Sequence, residues 1–172
     1  MDIKDKLRHI PDFPNQGIDF IDVTTVLQDK DAFKASIDGL IALSADFDFD
    51  VIVGSEARGF IFGATMAYAL NKGFVPVRKK GKLPYNTISA VYDLEYGSDI
   101  LEMHQDAIIP GQNVLIVDDL LATGGTTQSN IRLINELGGT VTGIVYLVEL
   151  TYLKGREQLP DYPVRSLVQF EE

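Results

Sequence analysis

The run Val114-Leu-Ile-Val-Asp-Asp-Leu-Leu-Ala-Thr-Gly-Gly-Thr126 decides the fold. Its first four residues, Val114 to Val117, are apolar without alternation, which in so short a run reads as a strand buried on both faces. Asp118 and Asp119 follow at its carboxyl end. Ala122, Thr123, Gly124, Gly125 and Thr126 then turn the chain into an amphipathic segment, Thr127 to Leu137. Open α/β sheets bind ligands at the carboxyl ends of their strands. A loop of glycines and threonines opening a helix presents unpaired N–H groups, two hydroxyls and the positive end of a helix dipole, which suit a phosphate. Two carboxylates just before it suit the vicinal hydroxyls of a ribose. A lone Asp-Asp or Gly-Gly pair would be ordinary scaffolding; the ordered combination describes a site for a sugar 5-phosphate.

Upstream lies a second strand–loop–helix unit. Val51-Ile-Val53 is a short buried strand, Gly54-Ser-Glu-Ala-Arg-Gly59 its loop, and Phe60 to Leu70 a helix apolar on most sides. Arg58 sits in that loop at a strand's carboxyl end, where an anion would approach, and the arginine fork suits phosphate oxygens. Gly73 to Val77 is a third strand and runs into Arg78-Lys-Lys-Gly-Lys82, the only dense cationic cluster. A charge run is usually a solvated face; in so acidic a chain this one is also placed to steer a polyanion such as diphosphate.

Further out, Ile3, Leu7 and Ile10 form an i, i+4, i+7 stripe that predicts a short helix ended by Pro11. Pro11 to Asp22 is rich in Pro and Gly and reads as irregular. Its apolar residues Phe13, Ile18, Phe20 and Ile21 either pack the loop onto the core or cover a flat ligand. Asp29 or Asp31 starts a helix whose buried face is Phe33, Ile37, Leu40, Ile41 and Ser44. Thr87 to Leu94 alternates, Glu95 to Asp99 is a turn, and Ile100 to Gln105 returns, a hairpin that is either a sheet edge or an active-site lid. Gly138-Gly139 stops the helix after the opening run. Thr140 to Leu150 is a strand, Lys154 to Leu159 a helical turn and Val164 to Phe170 a last strand. Strands alternating with helices predict an α/β fold with a central, mostly parallel twisted sheet and helices on both faces.

Composition narrows the function. The 172 residues suit one domain with a substantial core, and 45% are hydrophobic. The net charge of −10, from 25 acidic and 15 basic residues, argues against a nucleic-acid surface. There is no cysteine, and His9 and His104 are too few for a zinc site. The N-terminus is not a signal peptide and no run of about 18 apolar residues occurs, so neither membrane nor export is expected and the cytoplasm is the default compartment.

The opening run closely resembles the phosphoribosyl diphosphate (PRPP) motif of the type I phosphoribosyltransferase family. Ser55 to Gly63, Lys80 to Pro84, Glu95-Tyr-Gly97 and Val148 to Arg156 are similar, in the same order over nearly the whole chain, to the members of that family that use adenine. The resemblance implies that adenine and PRPP give AMP and diphosphate in purine salvage. It implies that Asp118 and Asp119 hold the ribose hydroxyls and that Ala122, Thr123, Gly124, Gly125 and Thr126 cradle the 5-phosphate. Mg²⁺, held mainly by substrate oxygens rather than by protein ligands, would neutralise the leaving diphosphate, helped by Arg58 and by the Arg78–Lys82 cluster, Lys82 foremost. Where relatives acting on 6-oxopurines or orotate tend to carry an acid, this chain has Ala122, so the resemblance moves the general acid/base to Glu95 on the hairpin, with Tyr96 beside it. It lays Phe20 over the adenine with Asp19 and Ile21 flanking; relatives often carry a basic residue at Ile21, a change that backbone recognition of the base would survive. It further implies a homodimer, and one domain over 1–172 with a base-covering hood at about 1–27 and a flexible lid at about 83–107.

Three rivals are weaker. A xanthine or guanine phosphoribosyltransferase is disfavoured by Ala122 and the Glu95-Tyr-Gly97 lid. A non-catalytic PRPP-sensing regulator would need a partner module, and none is visible. A nicotinamide-dependent Rossmann enzyme would need Gly-x-Gly-x-x-Gly after a strand, and no strand has it.

Overall fold

Two antiparallel strands, rather than a helix, form the N-terminal segment in the computed structural model, which describes residues 1–94 and 97–172. Only Lys4–Lys6 turn, as a 3-10 helix, before β1 (Arg8–Pro11) pairs with β2 (Asp19–Asp22), His9 opposite Ile21 and Ile10 opposite Phe20. Eight residues are too few to hold a helix on propensity alone, and β2 offers a backbone ladder instead. Ile3 and Leu7 are buried all the same. The expected irregular loop is thus irregular only up to Ile18. Its apolar residues divide: Ile21 is buried, whereas Phe13 and Ile18 are exposed and Phe13 packs edge-on against Phe20 at 5.2 Å.

Helix α1 (Thr24–Gln28) leads into α2 (Lys30–Leu43). Asp29 caps α2, accepting from the N–H groups of Asp31 and Ala32, which settles the choice between the two acids. Strand β3 (Val51–Ser55) passes through a two-residue turn, with a cis Glu56–Ala57 peptide, into α3 (Arg58–Leu70). The turn is so tight that Arg58 is the first helical residue, not a loop residue as the sequence suggested. Strand β4 (Gly73–Lys79) runs two residues beyond the expected Val77 and takes Arg78 and Lys79 into the sheet. Strands β5 (Thr87–Leu94) and β6 (Gly97–His104) pair as a hairpin, Leu94 opposite Gly97. The return strand therefore starts at Gly97, inside the expected turn, because the ladder zips up to that residue.

Strand β7 (Asn113–Leu121) is longer than its apolar core. It pairs with β3 only as far as Val117, but continues along β8 (Thr140–Leu150), with Asp118 opposite Tyr146 and Leu121 opposite Glu149. The two acids expected after the strand thus lie within it, held on one side by the long β8 and free of β3 on the other. Helix α4 (Gly125–Glu136) starts two residues before the expected Thr127. After 3-10 turns at Thr151–Leu153 and Gly155–Gln158, β9 (Val164–Phe170) ends the sheet.

The seven-stranded sheet has the order β5-β6-β4-β3-β7-β8-β9. Strands β4, β3, β7, β8 and β9 are parallel, and the β5–β6 hairpin is antiparallel, joined to β4 through Arg78 opposite Glu102. Side chains alternate between two cores. Ile52, Leu115, Val117 and Val145 face the α1–α3 layer; Val53, Val114, Ile116 and Ile144 face the α4 layer. A sheet covered on both faces needs uninterrupted apolar strands, which is what β3 and β7 supply. From β3 the chain goes to β4 on one side and later to β7 on the other. The carboxyl ends of β3 and β7 therefore form a topological switch point, the expected position of a ligand crevice.

Candidate active site

A crevice of about 250 Å³ opens at that switch point, between the Ser55–Arg58 turn and the Asp118–Thr127 run. On one wall Asp119, 7% exposed, meets Arg58, with Nε 2.6 Å from Oδ2. Asp118 accepts from the Asp119 N–H at 2.8 Å. Burial pushes the Asp118 carboxyl well above its usual range, and the neighbouring Asp119 carboxylate adds to the rise, which the Arg58 guanidinium only partly offsets. Gly59 makes room for this arrangement: a Cβ there would lie 2.5 Å from Asp118 Oδ1.

The other wall is the phosphate-loop segment. Gly124 has φ +91°, the left-handed region that favours glycine, and no side chain caps α4. The first-turn N–H groups of Gly125, Thr126 and Thr127 have no acceptor within the helix and carry its positive end toward the crevice. Two buried links fix this helix start. Thr127 shares a hydrogen bond with the phenol of Tyr146, whose titration burial pushes far up. Asn130 donates to Ser55 Oγ at 2.8 Å, tying α4 to the opposite wall. Sequence reasoning missed Gly59, Thr127 and Asn130. The last two had a signal: they are polar residues at i and i+3 on the stripe that Ile134 continues at i+7.

The hood reaches the same place. The Arg58 guanidinium lies 5.4 Å from the Phe20 ring centre, so Phe20, Arg58 and Asp119 form one continuous line. Asp19 is engaged by His9, Nδ1 to Oδ2 2.6 Å. Ile21 turns its side chain into the core, leaving only its backbone to a ligand.

The structure does not bring the whole cationic cluster to this crevice. Arg78 points toward Glu56, with Nε 3.4 Å from Oε1, and Lys79 pairs with Asp99 at 3.5 Å. Lys82 is exposed and lies outside the crevice walls. Glu95 and Tyr96 fall outside the described residues. A second cavity, of about 410 Å³, lies behind the phosphate loop between β5, α4 and the 3-10 turns, where Arg132 donates to the Val91 carbonyl at 3.0 Å.

This geometry has close counterparts. The family model described as phosphoribosyl transferase domain matches residues 24–171. The adenine phosphoribosyltransferase of Caldicellulosiruptor saccharolyticus is 70% identical over 171 residues, covering 99% of this chain and 98% of its own. The crystal structure of adenine phosphoribosyltransferase from Thermoanaerobacter pseudethanolicus superposes with a TM-score of 0.96 at 54% identity, covering 98% of both chains. That of the Saccharomyces cerevisiae enzyme, in complex with adenine and an imino-altritol bisphosphate, gives 0.90 at 42% identity and covers 96% of both.

Proposed function

The chain belongs to the phosphoribosyl transferase family, and on that premise we propose that it transfers the 5-phosphoribosyl group of PRPP to adenine, giving AMP and diphosphate. It is a pentosyltransferase of purine salvage. One observation carries the reading: a pair of carboxylates and an uncapped helix start share a crevice at the switch point of the sheet. The choice of adenine rests on relatives that bear that name, one of them 70% identical over 98% of its own length.

Loss of diphosphate ahead of attack by the purine nitrogen builds positive charge on the sugar, as in other glycosyl transfers. Asp118 and Asp119 grip the ribose hydroxyls and hold negative charge beneath that centre. Arg58 orients Asp119 at 2.6 Å and adds positive charge where diphosphate leaves. Of the Arg78–Lys82 cluster, Lys82, exposed and outside the crevice walls, is assigned to the diphosphate from its solvent side. The amides from Ala122 to Thr126 cradle the 5-phosphate. Phe20 stacks on the base, and the backbone beside Asp19 and Ile21 reads its edge. Glu95 on the hairpin handles the purine proton, with Tyr96 alongside.

Among the described residues no three His, Cys, Asp or Glu side chains converge as a metal cage. Two adjacent carboxylates, one already paired with Arg58, fit Mg²⁺ held mainly through substrate oxygens, with Asp118 and Asp119 the residues to touch it. Bound there, Mg²⁺ supplies neutralisation of the diphosphate charge.

The same reading takes 1–172 as one domain, with a hood at about 1–27 and a lid at about 83–107. It pairs two chains as a homodimer, supported by the outward face of α3, where Ile61 and Tyr68 are 40% and 90% exposed beside Ala57 and Ala64. A cytoplasmic setting goes with the reaction, because a polyanion such as PRPP does not cross a bilayer unaided. No helix among the described residues is long and apolar enough to span a membrane.

The test is to mix protein, Mg²⁺ and PRPP with each base in turn and look for mononucleotide. AMP is expected, with strong preference over hypoxanthine, whose 6-oxo group sets acceptor against acceptor. Comparable kcat/KM for both bases would overturn the assignment of the hood.

A further inference from the structure

Behind the phosphate loop lies a segment to which the reaction above gives no task. Glu149, near the end of β8, is 2% exposed. It accepts from Arg156 Nε at 2.7 Å and Nη2 at 2.8 Å, from Ser166 Oγ at 2.5 Å and from Gln169 Nε2 at 3.3 Å. Arg156 also donates from Nη1 to the Val164 carbonyl. Such a buried pair is weak evidence of a stabilising role, since desolvation offsets much of the attraction. What it does fix is place. Arg156 follows Gly155, and Gly155 is packed against the loop: a Cβ there would lie 2.5 Å from the Ala122 carbonyl oxygen and 2.8 Å from Leu121 Cδ1. From the other side, a Cβ on Gly124 would lie 3.0 Å from the Gly155 carbonyl oxygen. The two segments meet backbone to backbone. Gln128 of α4 closes the contact, donating to the Gln158 carbonyl at 3.2 Å.

We propose that Arg156, clamped by Glu149, seats Gly155 as the rear wall of the phosphate loop, which makes both of them positioning residues for the 5-phosphate of PRPP. The inference rests on the proposed function for the identity of that phosphate. Thr127 and Asn130 fix the helix start behind the loop, but the loop from Ala122 to Gly124, with Gly124 left-handed and no side-chain cap, has little of its own to hold its amides in register. The rear wall supplies that constraint, and its only requirement at the contact is the absence of a side chain. Arg156 touches no substrate; it acts through Gly155.

Gly155→Ala and Arg156→Lys in the full chain test this, with ribose 5-phosphate and adenine binding measured by calorimetry beside steady-state rates. In Gly155→Ala, ribose 5-phosphate affinity and kcat/KM for PRPP fall roughly a hundredfold, the scale of an ångström-sized misplacement, while adenine binding is unchanged. Lysine keeps the charge but not the fork, so Arg156→Lys shows the same selective loss to a smaller degree than Arg156→Met. Unchanged ribose 5-phosphate affinity in folded Gly155→Ala overturns the inference, as does equal loss of both ligands. If Gly155→Ala does not fold, the lysine and methionine pair decides by the same criterion. Wild-type protein that makes no AMP yet loses ribose 5-phosphate binding on Gly155→Ala would sink the proposed function and leave the rear wall standing.

Discussion

Asp118 and Glu149 sit on adjacent strands, and their surroundings drive them in opposite directions. Asp118 lines the crevice with a second carboxylate beside it, and burial plus that neighbour push its carboxyl well up. Burial also pushes Glu149 up, but the bidentate Arg156, with Ser166 and Gln169, more than offsets it and holds the carboxyl below the ordinary range. The front of the sheet end is left electrostatically unfinished, and the back is complete within the chain. A binding surface is expected to look like the first, since its missing donors arrive with the ligand. A support is expected to look like the second.

The largest effect expected from this contrast separates two Glu→Gln changes. Glu95→Gln removes the carboxylate to which the proposed mechanism gives the purine proton, so kcat is expected to fall roughly a thousandfold with KM for PRPP little changed. Glu149→Gln removes a carboxylate whose task is placement, so KM for PRPP rises and the thermal midpoint drops while kcat changes far less. Steady-state kinetics with PRPP varied at saturating adenine reads both. An unchanged kcat in Glu95→Gln would remove that residue from the mechanism.

A smaller effect sharpens the contrast at Asp118 itself. Gly59→Ala places a methyl group 2.5 Å from Oδ1 in the observed rotamer, so the carboxylate must leave its present position. Alanine also favours the helix by up to about 1 kcal/mol over glycine. Activity is therefore expected to fall roughly tenfold to a hundredfold with no loss in thermal midpoint. Full activity in this variant would mean that the ribose does not use Asp118 in this orientation.

How much of this was legible in the sequence follows from where each partner lies in the chain. The β7–α4 unit could be read because strand, acids, glycines and helix are contiguous. So could the parallel sheet, since each strand carries its own apolar run. The N-terminal ribbon was misread because β2, the partner that makes β1 a strand, begins eight residues beyond it. Gly59 read only as the last residue of a loop, and the reason for a glycine there is an oxygen on Asp118. Arg156 belonged to a stretch similar to the family, but only the fold reveals Glu149 as its anchor and Ala122 as the neighbour of Gly155. Arg58 was read as placed for a substrate phosphate, and the anion it meets in the structure is the carboxylate of Asp119. The side-chain charge of Lys82 was plain, whereas its distance from the crevice was not.

The smallest effect is a pH dependence whose sign differs between the two carboxylates. Asp118 binds its proton more tightly in the folded state than in the unfolded chain. Its contribution is therefore most favourable below the unfolded value near 3.8 and is lost as pH rises through the raised folded value. Glu149 does the reverse: its contribution is present above the unfolded value near 4.5 and is lost as pH falls through the depressed folded value. Asp118→Asn should then gain on wild type as pH increases from about 4, whereas the deficit of Glu149→Gln should shrink as pH drops below about 4. About 1 kcal/mol shifts the midpoint of a domain this size by about 2–4 °C, so calorimetric scans of the three proteins across that range resolve both slopes. Parallel curves for Asp118→Asn and wild type would show that the front carboxylate carries no uncompensated charge. The contrast between the two strands would then reduce to one of exposure alone.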